Sequence, residues 1–159
     1  MTDQKDTAAV RIFPPALPLF TILLGVAMNH VWPVHLDYEL SSIARRCIGG
    51  LIIVVAILGL GLWSVLVLRR SGQSENPWKP TLSIVDRGPF RISRNPMYLQ
   101  MVLVCFGFAI LLWNVWILVL TPLCAWALQH LAILPEEAYL EQKFGDLYLR
   151  YKHRVRRWL

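Results

Sequence analysis

The sequence predicts an all-α polytopic membrane protein, with about four transmembrane helices and a cytosolic amphipathic helix at its C-terminal end. Three observations carry this. Of 159 residues, 56% are hydrophobic and only 16% charged, and the mean hydropathy is +0.48. A water-soluble domain of this length carries more charge than that. Long apolar runs recur along the chain, and the basic residues gather in alternate connections between them. The length leaves room for one domain, 1–159, with two spans in 1–70 and a loop, a helical hairpin and a final helix in 71–159.

The first apolar run extends from about Leu17 to Val34. The dozen residues before it are polar and mixed in charge, and Pro14, Pro15 and Pro18 interrupt its start, so it is expected to be a retained span and not a cleaved leader. Cys47 to Leu68 is 22 residues free of Asp, Glu, Lys and Arg. At ~1.5 Å per residue it crosses a hydrocarbon core of roughly 30 Å. Met97 to Leu134 is 38 residues without a formal charge, too long for one span and suited to two short ones. Trp113-Asn114-Val115-Trp116 marks the turn between them, with aromatics placed for the far interface. Pro122 is expected to kink the fourth span. After Pro135 a new surface helix is predicted, with Glu136 and Glu137 in its first turn, where carboxylates favour the macrodipole. Leu140, Phe144, Leu147 and Tyr151 form its apolar stripe, and Gly145 ends or bends it.

Charge sets the expected topology. Lys5 and Arg11 precede the first span. Arg69, Arg70, Lys79, Arg87, Arg91 and Arg94 fill the 69–96 loop, and Lys143, Arg150, Lys152, Arg154, Arg156 and Arg157 fill the tail. Only Arg45 and Arg46 fall on the other side, so both termini are placed in the cytosol, in a bacterial inner membrane. The net charge of +6 reflects this asymmetry and attraction to anionic membrane lipid, not nucleic-acid binding, because the charge lies beside spans and forms no reading helix. Cys47, Cys105 and Cys124 fit no metal or redox spacing, so no metal is expected. His30 and His35 are placed near the external interface and His153 in the basic tail; for His130 an interfacial position and a pocket position are equally open. Gly49-Gly50 and Gly59-x-Gly61 permit close helix packing, within or between chains, and the oligomeric state is left open.

The chemistry-bearing residues lie at one end of the hairpin. Gly88-Pro89-Phe90 is a turn, and Arg94-Asn95-Pro96-Met97-Tyr98 opens the third span, with Asn95 as N-cap and Pro96 in the first turn. Unpaired N–H groups at that start favour anions. Arg91 and Arg94 also suit phospholipid phosphates. Glu136 and Glu137, at the exit of the same hairpin, need a cation nearby. Arg94 or a cationic ligand meets that need.

From about Asn76 to Trp158 the chain resembles the isoprenylcysteine carboxyl methyltransferases, their bacterial relatives and the phospholipid methyltransferases. The resemblance rests on Gly88-Pro89-Phe90, Arg94-Asn95-Pro96-Met97-Tyr98, a charge-free hairpin, Glu136-Glu137, Phe144-Gly145 and Tyr148-x-x-Tyr151, in that order. It implies S-adenosylmethionine as methyl donor, held without a Rossmann sheet, and the chain has no Gly-rich dinucleotide fingerprint. By carry-over, Leu82, Ser83, Ile84 and Val85 line the cofactor, Phe90 supplies an aromatic, Asn95, Pro96, Met97 and Tyr98 cap it, and Glu136 meets its sulfonium or its amino group. Arg94, Asn95, Tyr98 and Glu136 are the expected positioning residues of catalysis. Asn95 stands where prenylcysteine enzymes have His, and Ala132 where the eukaryotic enzymes have a substrate-binding Arg.

The implied activity is methyl transfer to a lipophilic or small acceptor, a carboxyl, thiol or amine, at the cytosolic face. A lipophilic acceptor is expected to arrive through a tunnel among spans two to four. The alternative is a catalytically silent relative that binds lipid or a partner protein on the same fold. A transport subunit would want polar residues facing each other at mid-membrane, and the spans offer few.

Overall fold

A computed structural model describes residues 7–34 and 40–159. Lys5 and His35 lie outside the described residues. The described chain is helical throughout: α1 (Ala16–Val31), α2 (Ser42–Arg70), α3 (Pro96–Leu111), α4 (Val115–Phe144) and α5 (Asp146–Arg154), with a 3₁₀ turn at Gly88–Arg91. No strand occurs among the described residues.

Two helices are long and apolar enough to cross a membrane. α2 has 29 residues and α4 has 30. Only 11% of the apolar window in α2 and 33% of that in α4 is buried inside the protein. The core helix of a soluble protein buries most of such a window, so these surfaces belong in lipid. α1 and α3 are equally apolar but have 16 residues each, about 24 Å of helix.

α3 lies between α2 and α4, and α1 packs along α4. Small residues set the approach. A Cβ added at Gly49 of α2 would stand 2.6 Å from the Leu111 nitrogen, and one at Gly107 of α3 would stand 2.6 Å from Ile53 Cγ1 and 3.1 Å from the Gly49 carbonyl. Gly25 does the same for α1 and α4, where a Cβ would meet Ile117 at 2.5 Å. Gly50 and Gly59 face away from the other helices. Cys105, Cys124, Leu128, Ala132 and Ile133 fill the seam between α3 and α4.

The turn from α3 to α4 takes place at Trp113, which has a φ of 50°, and Asn114. Asn114 Oδ1 accepts from the Ile117 amide at 3.0 Å and so caps α4, while its Nδ2 donates to the Gly25 carbonyl at 3.2 Å and ties the turn to α1.

Two expectations at the C-terminal end are corrected. No new helix begins after Pro135: α4 runs straight through it. Proline leaves the carbonyl four residues back without its usual donor. Here that carbonyl is Leu131, inside a π-helical turn at Gln129–Ile133, and it accepts from the Arg11 amide at 3.2 Å. The N-terminal segment therefore supplies the donor that the proline removes. Nor does one amphipathic helix follow. Gly145, at a φ of 51°, separates α4 from α5, so Leu147 is 58% exposed while Tyr148 and Tyr151 are buried.

Replacing Gly107 with Val forces α2 and α3 apart. The expected loss is about 2 kcal/mol, read as a lower midpoint in a thermal melt in detergent. Gly50→Ala, with nothing within 4 Å, leaves the midpoint unchanged or higher.

Candidate functional site

The connection 71–95 folds back under α2 and α3 through its own polar groups. Gln73 is buried, and its Nε2 donates to the Ser83 carbonyl at 2.6 Å and to Ser83 Oγ at 3.1 Å. Asn76 Oδ1 accepts from the Trp78 amide at 2.9 Å across Pro77, an Asx turn. The Thr81 amide donates to the Tyr139 hydroxyl at 3.3 Å, which ties the loop to α4. The Tyr151 hydroxyl of α5 donates to the Phe90 carbonyl at 2.7 Å and fixes the 3₁₀ turn. Burial holds the Tyr148 and Tyr151 phenols well above their ordinary pKa, so both stay protonated and Tyr151 keeps its donor.

The tail closes the same end. Ser93 Oγ donates to the Arg157 carbonyl at 2.9 Å and accepts from the Asn95 amide at 3.1 Å, and the Arg94 amide donates to the Arg156 carbonyl at 2.9 Å. Trp158 Nε1 donates to Gln129 Oε1 at 3.1 Å. With Trp78 Nε1 donating to the Val10 carbonyl at 3.2 Å, the N-terminal segment, the 71–95 loop and the tail meet at one end of the bundle.

Glu137 sits at the centre of this end, with its side chain 6% exposed. Arg157 grips it with two bonds, Nε to Oε1 at 3.1 Å and Nη2 to Oε2 at 2.8 Å. Arg94 Nη2 lies 3.1 Å from Oε1, and Arg94 Nη1 donates to the Lys152 carbonyl at 3.3 Å. Asn95 occupies the N-cap position of α3, yet its side chain makes no cap; Nδ2 points to Glu137 Oε1 at 3.5 Å. Glu136, one residue earlier, has a different role. It accepts from the Tyr98 hydroxyl at 2.9 Å, and among the described residues no cation pairs with it.

Glu136 lines a recess bounded by the loop, the start of α3 and α5. The recess has a cavity volume of about 100 Å³ and opens to solvent. Ser83, Ile84, Val85, Phe90, Arg94, Asn95 and Met97 line it with Glu136. Three other residues expected at the site do not. Leu82 is 66% exposed and faces a separate recess beside Leu147 and Arg150. Pro96 is fully buried beneath the site. Tyr98 stands behind Glu136 and borders a neighbouring apolar slot. His130 is exposed, with its ring 4.8 Å from that of Trp126, and does not reach the recess.

The sequence assigns no site role to Gln73, Tyr148 and Tyr151, which line the recess, or to Arg157, which holds Glu137. The Tyr148-x-x-Tyr151 spacing was a usable signal, because it places both phenols on one face of α5. Gln73 and Arg157 carry no comparable signal in the sequence.

The recess has the polarity that S-adenosylmethionine requires. Its sulfonium and amino group are cationic, its carboxylate is anionic, and its adenine and ribose need a lined wall. Glu136 offers a carboxylate with no competing cation, Arg94 offers a guanidinium whose Nε is buried without an acceptor, and Ile84, Val85 and Phe90 offer the wall.

Glu137→Gln leaves Arg94 buried beside a neutral amide. The expected loss of stability is ~3 kcal/mol, measured by denaturant unfolding in mixed micelles. Arg157→Ala, at a partner whose side chain is 28% exposed, is expected to cost less.

Comparison with known proteins bears on the family of the chain. The chain is 42% identical to a Haemophilus influenzae protein described only as uncharacterized, over 65 residues that make up 40% of this chain and the whole of that one. No solved structure matches. Residues 45–147, which run from the start of α2 into α5, match the phospholipid methyltransferase family. The chain belongs to that family of membrane methyltransferases, akin to the isoprenylcysteine enzymes.

Proposed function

We propose that this protein binds S-adenosylmethionine in the recess at Glu136 and transfers its methyl group to a lipophilic or small acceptor at the cytosolic membrane face. The observation that carries this reading is the division of labour between adjacent carboxylates. Among the described residues, Glu137 is neutralised by Arg94 and Arg157, while Glu136 lines the recess and takes the Tyr98 hydroxyl with no cation paired to it.

When bound, the cofactor supplies an electrophilic methyl group, whose bond to the sulfonium breaks as an acceptor lone pair attacks, leaving a neutral thioether. The chain's residues then have positioning tasks. Glu136 holds a cationic group, and Tyr98 fixes the carboxylate by donating to Oε2. Asn95 and Met97 cover the recess at the start of α3. Arg94 is anchored by Glu137 and the Lys152 carbonyl and, with its Nε still without an acceptor, has donors left for an anion. Alignment and exclusion of water supply several kcal/mol of the barrier in such sites. A carboxylate or thiolate acceptor needs no base. An amine acceptor sheds a proton, and Glu136 is the carboxylate in the recess available to take it, since His130 is turned away.

The same proposal places α1 and α3 in the bilayer with α2 and α4, making four spans with both termini cytosolic. Their packing against α2 and α4, and the convergence of both termini and the 71–95 loop at one end, support it. In spheroplasts, a membrane-impermeant maleimide is expected to modify Ser42→Cys and to spare Ser74→Cys. The opposite pattern would reverse the orientation.

Calorimetric titration of S-adenosylmethionine and S-adenosylhomocysteine into the purified protein tests the activity reading. Micromolar binding is expected, lost in Glu136→Ala and weakened at least tenfold, ~1.4 kcal/mol, in Asn95→Ala. No heat with either ligand in folded protein, repeated in lipid nanodiscs, would favour a silent lipid- or partner-binding relative.

A further inference from the structure

We infer that the apolar slot beside the recess seats the hydrocarbon chain of the acceptor, and that Phe13 and Trp78 form its clamp. This rests on the methyltransferase reading and assigns a second site to it.

The slot encloses about 340 Å³ and is walled by Phe13, Pro14, Pro15, Trp78, Met97 and Met101. That volume is at the lower end of small-molecule sites, ~300–1,000 Å³. It adjoins the Glu136 recess: residues 75–77 and Met97 border both. Tyr98 borders the slot with its ring, and its hydroxyl reaches Glu136 at 2.9 Å. A chain lying in the slot thus delivers its head to the junction at Met97 and Tyr98, where the recess begins.

The chemistry of the walls selects the occupant. Among the described residues no Lys or Arg lines the slot, and the one charged residue there, Glu75, is paired with Arg69 at 2.7 Å. A phosphate or carboxylate buried there would lose its hydration without gaining a cation. A hydrocarbon chain loses nothing. The slot's rim is also continuous with lipid-facing surface, because Phe13, Leu19 and Phe20 along the start of α1 are each about 60% exposed.

Two seams of the bundle are closely packed among the described residues. Gly49 and Gly107 bring α2 and α3 into backbone contact, and the buried side chains of Cys105, Cys124, Leu128 and Ala132 fill the seam between α3 and α4. The proposed entry for the acceptor chain thus lies between the start of α1 and the start of α3, and not among spans two to four.

The clamp is built from stacking and one hydrogen bond. The Phe13 and Trp78 rings lie 6.3 Å apart and 14° from parallel, and Trp78 is steered by its bond to the Val10 carbonyl. Phe13, Pro14 and Pro15 lie outside residues 45–147. Selection of the acceptor chain therefore draws both on this N-terminal segment and on Trp78, Met97 and Met101 within the family-matched region.

The test uses the full-length protein in phosphatidylcholine nanodiscs doped with a long-chain alkyl diazirine alcohol, without S-adenosylmethionine. After irradiation, saturable labelling is expected on the peptides carrying Phe13 and Met97 to Met101. Met101→Trp fills the slot and is expected to lower that labelling about tenfold, with S-adenosylhomocysteine binding unchanged by calorimetry. Phe13→Ala opens the clamp and is expected to shift the label off residues 13–15. Label spread evenly over outward faces of α1 and α2, or unaffected by Met101→Trp, would overturn the slot while leaving the cofactor site intact. Loss of S-adenosylhomocysteine binding in the unmodified protein would instead overturn the methyltransferase reading.

Discussion

Burial of Glu137 is the constraint on which this end of the molecule depends. A carboxylate taken out of water at the end of an apolar helix costs several kcal/mol unless it is paired and hydrogen-bonded. Arg94 comes from the loop before α3, and Arg157 from the tail beyond α5. Each cation brings its own segment with it. Through the bonds of the Ser93 hydroxyl to the Arg157 carbonyl and of the Arg94 amide to the Arg156 carbonyl, the loop and the tail are locked together around one acid. The packing of Tyr148, Tyr151 and Val155 against Ile84 and Leu140 then completes a small second core outside the helical bundle. The recess is the space that remains between these segments.

A second long-range contact follows the same logic. Pro135 removes a donor in the middle of a 30-residue helix, and the π-helical turn before it presents the Leu131 carbonyl outward. Arg11 supplies the missing N–H. That bond, with Ala8 and Val10 buried beside it, draws the N-terminal segment across the end of the bundle and sets Phe13 against Trp78. Two polar defects in α4, Pro135 and Glu137, are thus answered by segments distant in sequence, and each answer shapes a wall of the site.

Much of this was legible in the sequence, and the parts that were not share a physical cause. The turn at Asn114 could be read because its residues act locally: an amide side chain caps the helix it begins. The convergence of the loop, the start of α3 and Glu136 followed from charge at one end of an uncharged hairpin. Pro135 was misread because local rules treat proline as a helix start. Only a donor 124 residues earlier in the chain makes it an interior residue. The stripe through Leu147 failed because Gly145 resets the helical phase. Arg157 was indistinguishable from its basic neighbours, since a tail full of Lys and Arg does not announce which cation is buried. Gln73 was invisible for a similar reason: one polar residue in a polar turn has no period.

The account's central claim is that the recess between the 71–95 loop, α3 and α5 is where the methyl donor sits. Ultraviolet irradiation of the purified protein with methyl-tritiated S-adenosylmethionine, followed by peptide mapping, tests it most directly. The account predicts label on peptides from the 81–98 stretch or from α5, at Phe90, Met97 or Tyr151, and its removal by excess S-adenosylhomocysteine. Competable label on α1 or on the α3–α4 turn would contradict it.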